Sequence, residues 1–129
     1  MKLSILFFLL ITCFTAFAQK AFEFEHYQGK TKDFMINLSL ANGYLLGSEI
    51  IRTDLKTLKK VKYLASDYRQ KNLSFLPDPH DKNVRIRKRD NFKLYGLDEE
   101  QAMPAKVKGV YGIDLKTYRI VLYKSTVNY

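Results

Sequence analysis

Phe34-Met35-Ile36-Asn37-Leu38-Ser39-Leu40 is the stretch that decides how this chain is read. Apolar residues at 34, 36, 38 and 40 alternate with Met35, Asn37 and Ser39. A two-residue period belongs to a strand with one buried face and one wet face. Asn42-Gly43 follows at once. Asparagine and glycine tolerate the positive φ that both central positions of a type I′ turn require. Residues 44–51 then read as the return strand of a hairpin.

The same period extends in both directions. Upstream, Phe22, Phe24 and His26 share one face and Glu23 and Glu25 the other, with Gln28-Gly29-Lys30 as a turn. Downstream, residues 54–63 (DLKTLKKVKY) are echoed by residues 114–123 (DLKTYRIVLY), identical at six of ten positions. An aspartate that opens a turn can bond its own backbone two residues on, so both copies read as strand-turn-strand units with shared turn chemistry. Residues 73–76 form a short apolar strand stopped by Pro77-Asp78-Pro79, which cannot continue a ladder. Residues 84–89 alternate again, Val84 and Ile86 inward and the arginines outward. Residues 92–95, 107–113 and 118–123 complete the set, and 97–105 read as a loop or a single helical turn.

About eight short strands with short turns specify an all-β, mainly antiparallel meander, closed as a barrel or folded as a sandwich. The architecture is similar to small lipocalin-like barrels. One rival is an α+β fold with a basic amphipathic helix over 54–71. There Leu55, Leu58, Val61, Ala65 and Tyr68 fall on one helical face and Asp54 stands at the cap. The echo with 114–123 favours the strand.

The N-terminus carries a different signal. Met1-Lys2 precedes an apolar run of about ten residues, and Ala16-Phe17-Ala18 supplies a small-x-small cleavage pattern. A signal peptide over 1–18 and a single β-rich domain over 19–129 are expected, placing the protein in the periplasm or outside the cell. The run is shorter than the roughly 20 residues of a membrane span. Cys13, the only cysteine, leaves with the signal. The domain after it therefore has no disulfide, cysteine nucleophile or cysteine metal site.

The 129-residue chain has a net charge of +9, and the excess is local. Residues 52–93 hold 13 basic and 5 acidic side chains, while the flanks on either side nearly cancel. Arg85, Arg87, Lys88, Arg89, Lys93, Lys60 and Lys62 form the expected anion- or partner-binding surface, since guanidinium groups fork onto phosphates and carboxylates. A non-enzymatic binding or structural module of the envelope or secretome follows. Its partner would be an anionic envelope surface or an acidic protein. Nucleic acid fits less well, because no nucleic-acid motif is present and export argues against it.

Two alternatives use other residues. A small-ligand carrier would line a cup with Phe22, Phe24, Phe34, Tyr44 and Tyr111. A small hydrolase would use His26 or His80, with Ser48, His26 and Asp33 the one triad that can be drawn on paper. Asp78, His80 and Asp81 share a proline-rich loop and are the weak metal candidate, without the spacing of a known site. No catalytic motif and no cofactor motif is present. Asp98, Glu99 and Glu100 read as a capped, exposed acidic turn.

Overall fold

The computed structural model describes residues 23–85 and 87–126. It contains eight strands: β1 (Phe24–Lys30), β2 (Phe34–Ala41), β3 (Glu49–Asp54), β4 (Lys60–Arg69), β5 (Asn72–Pro77), β6 (Asp90–Tyr95), β7 (Lys106–Ile113) and β8 (Lys116–Lys124). Each strand pairs antiparallel with its sequence neighbours, and β8 returns to β1 to close a barrel. The all-β expectation holds, and closure selects the barrel over the sandwich. The proposed signal peptide, Phe22 and Ile86 lie outside the described residues.

Strand β2 has the alternation read from the sequence. Phe34, Ile36, Leu38 and Leu40 are buried, with Met35, Asn37 and Ser39 half-buried between them. They join Tyr27, Ile50, Tyr63, Leu73, Phe75, Phe92, Leu94, Tyr111 and Leu122 in one core. An eight-stranded barrel is just wide enough for side chains to fill, and these aromatics fill it.

The segment 54–71 is not helical. It consists of the end of β3, a turn over 55–59 and the ten-residue strand β4. A β-bulge between Ala65 and Asp67 shifts the register. It brings Tyr68 to the core side three residues after Ala65, so the inward spacing mimics a helix there.

Several local readings are corrected. In β1 the inward residue is Tyr27, and Phe24 faces out, 44% exposed. The phase is set by pairing of Tyr27 with Leu38 and by Gly29, whose missing side chain admits Leu122 and the Val121 carbonyl. Gly29 is therefore a close approach inside the strand, and the turn follows it at 31–33. After Asn42-Gly43 only Gly43 has positive φ, and residues Leu45–Gly47 form a 3-10 turn before β3 begins. The hairpin whose two central residues both take positive φ is β4–β5, at Gln70 and Lys71.

The two echoed turns also differ. Asp54 Oδ1 accepts the Lys56 and Thr57 amides in a five-residue turn. Asp114 instead takes φ 49° in a two-residue turn and gives its carboxylate to Arg87. The described residues of the range 84–89, namely 84, 85 and 87–89, are not in a strand. They belong to the 78–89 loop, because neither β5 nor β6 extends alongside them.

The ends of the barrel are unlike. At one end the 96–105 loop folds across the opening. Leu97 and Leu45 are buried there, Tyr27 donates to the Pro104 carbonyl at 2.6 Å, and Tyr68 donates to the Leu97 carbonyl at 2.6 Å. The Leu45 amide donates to Glu99 Oε1 at 3.0 Å. At the other end the turns 31–33, 55–59, 78–89 and 114–115 stand around an open mouth.

Candidate functional site

The mouth holds a basin of about 690 Å³. That is within the 300–1,000 Å³ typical of small-molecule sites. Phe34, Val61, Ile113 and Tyr118 supply its apolar wall, and Lys56, Lys59, Lys82, Arg85, Arg87 and Lys116 stand around it. Arg52 lies at its floor, 6% exposed.

Strand geometry puts Arg52 there. In β3 the inward residues are Ile50 and Arg52, and Arg52 pairs across the ladder with Ile36 and Val61, both buried. Its guanidinium lies 4.7 Å from the centre of the Phe34 ring and 5.8 Å from that of Tyr111. Cation–π attraction holds such a plane against aromatic faces. Its Nε is buried without a hydrogen-bond partner, and no carboxylate among the described residues pairs with it.

The nearby acids are engaged elsewhere. Tyr118 donates to Asp33 Oδ2 at 2.9 Å. Tyr63 and Tyr111 both donate to Asp90 Oδ1, at 2.7 and 3.0 Å. Burial, then the Tyr111 hydroxyl beside it, pushes the Tyr63 hydroxyl far above the ordinary tyrosine range. Burial also raises Tyr111, against the opposing pull of Arg52. Both hydroxyls therefore stay protonated at neutral pH and act as donors. Asp54, on the rim, is held below the usual carboxylate range by the Thr57 and Lys56 amides and, to a smaller extent, by the charge of Arg52, with which it makes no ion pair.

The structure gathers only part of the expected surface. Arg85 and Arg87 reach the basin, Arg87 paired with Asp114 at 3.0 Å. Arg89 donates to the Lys116 carbonyl and to Thr117 Oγ1, at 2.7 and 2.8 Å, and so clamps the 78–89 loop to β8. Lys88 is exposed on the same loop. Lys60 and Lys62 line the start of β4, Lys62 facing Glu49 at 3.9 Å, and Lys93 projects from β6. The seven cations thus do not form one face.

The expected aromatic cup is also redistributed. Phe34 lines the basin, Tyr111 packs in the core beneath it, and Phe24 and Tyr44 are exposed. The drawn triad does not assemble. Ser48 accepts the Ala41 amide beside the closed end, His26 contacts Ser39 at 3.3 Å on the β1–β2 wall, and Asp33 is at the mouth. Asp78 and Asp81 accept backbone amides of His80, Asn83 and Lys62, and no cluster of three or more potential metal-ligating side chains occurs among the described residues.

Sequence reasoning missed Arg52, Lys56, Lys59, Lys82 and Lys116. A signal for Arg52 was present, since it stands in phase with the buried Ile50. No helix among the described residues is long and apolar enough to cross a membrane. Comparison with protein-family models, curated proteins and solved structures finds no match. Site geometry alone therefore bears on function.

Proposed function

We propose that this protein is an exported, non-enzymatic binding protein whose barrel mouth captures a small acidic ligand through Arg52. The single observation behind the reading is a guanidinium nine-tenths buried at the floor of a basin, with no anionic partner among the described residues. A buried charge left unpaired carries a penalty of several kcal/mol. A ligand carboxylate or phosphate would relieve it with two parallel hydrogen bonds from the planar fork. Phe34, Val61, Ile113 and Tyr118 would contact the ligand's apolar part, and the surrounding cations would steer it inward. Export is part of the proposal and rests on the 1–18 segment.

Thermal shift and calorimetry with octanoate, octyl phosphate and octanol test this reading. The two anions are expected to raise Tm and the alcohol to leave it unchanged. Arg52→Gln is expected to weaken anion binding by about ten- to a hundredfold, the loss of one charge-assisted bidentate contact. Equal binding of the anions to wild type and to Arg52→Gln would overturn the assignment. So would the absence of any anion-specific stabilisation at millimolar ligand.

A further inference from the structure

Two leucines occupy the tips of the echoed turns. Leu58 is 71% exposed and Leu115 87%, the most exposed large apolar side chains among the described residues. Leu58 is held at φ 61°, a conformation unfavourable for a side chain of this kind. The two tips belong to the β3–β4 and β7–β8 turns. In a closed eight-strand barrel these turns lie on opposite sides of the mouth.

Cations stand around the same rim. Each mouth turn carries or adjoins exposed ones: Lys32 at 31–33, Lys56 and Lys59 at 55–59, Lys82 and Arg85 at 78–89, and Lys116 beside 114–115. None of these six forms an ion pair among the described residues. The 96–105 loop across the closed end differs in charge, although its Asp98 is paired with Lys71 of the β4–β5 turn at 3.6 Å. That loop contains Asp98, Glu99 and Glu100 and no basic residue.

We infer that the mouth docks face-on against an anionic lipid bilayer, with Leu58 and Leu115 entering the interface and the rim cations above the headgroups. Opposed apolar tips flanking a hollow suit a yielding planar surface. A folded acidic protein would need one contiguous patch. Basic residues are drawn to anionic leaflets, and shallow apolar insertion adds to that attraction. The inference goes beyond the anion cup, since it concerns the rim and does not require Arg52.

The chain contains no tryptophan, so a single reporter can be introduced cleanly. Leu115→Trp places it on the rim and Tyr95→Trp at the closed end of β6, both in the full chain. Vesicles of phosphatidylglycerol and phosphatidylcholine are expected to shift the Leu115→Trp emission to the blue, and to leave Tyr95→Trp unchanged. Pure phosphatidylcholine, or salt at about 0.5 M, is expected to abolish the shift, because screening then acts over a few ångströms. Adding Leu58→Ser is expected to weaken vesicle partition about tenfold. Adding Arg52→Gln should leave the shift intact, which separates failure of docking from failure of the cup. Equal shifts from both reporters would overturn the proposal, as would none from Leu115→Trp, or a shift with soluble polyglutamate in place of vesicles.

Discussion

At Arg52 burial and charge oppose one another. The side chain sits in phase with Ile50, over Phe34, with an unpartnered Nε. Replacing a buried ionic group by an apolar one of similar volume often stabilises a protein, by roughly 1–4 kcal/mol. Arg52→Met is therefore expected to raise the urea midpoint, by about 1 kcal/mol of stability or more, while anion binding is lost. A marked fall in stability would instead make Arg52 a packing residue. The position was legible in the β3 alternation, but its role was not. Sequence shows that an arginine shares a face with isoleucine. Only the assembled barrel shows that Asp33 and Asp90 are already engaged by tyrosines and leave it unpaired.

Among elements, alternation specified a strand only where a neighbour lay within reach. Residues 34–40 have one on each side, in β1 and β3. Residues 84–89 alternate just as well, but the described ones among them have none, and side-chain clips hold those in a loop. Arg89 is one such clip, with two bonds to β8. Arg89→Ala is expected to raise amide exchange across 82–89 while total stability falls by no more than about 1 kcal/mol, as for an exposed loop contact. Exchange mass spectrometry checks both parts. Turn chemistry was less legible. Gln70 and Lys71 accept positive φ because the antiparallel pairing of Arg69 with Asn72 demands it, whereas Asn42-Gly43 feeds a 3-10 turn held by the Glu99 carboxylate. Both outcomes depend on parts of the chain remote from the turn.

For the molecule as a whole, nearest-neighbour strand order made the topology readable, since each strand pairs with those beside it in sequence. The phase of β1 was not readable, because Tyr27 is anchored by Pro104, 77 residues away. Tyr27, Tyr63 and Tyr111 also tie stability to pH. Burial, then Glu25, pushes Tyr27 up to about 12 from an ordinary 10.0, and Tyr63 and Tyr111 are raised further. Above pH 10 the unfolded chain releases these protons while the native barrel retains them. Stability is thus full below pH 10 and declines as pH rises, by up to about 1.4 kcal/mol per unit for each tyrosine so held. Urea titrations between pH 9 and 12 are expected to show that decline, and Tyr27→Phe to make it shallower.

The sealed base has a consequence for traffic. If the mouth binds the acidic ligand proposed above, a vessel with a single doorway would load and unload through the same opening, so the surface turned toward a donor would be the one later turned toward an acceptor. Delivery would then require the barrel to let go, tumble and arrive again mouth first, and a cargo still inside would shut the door to the next.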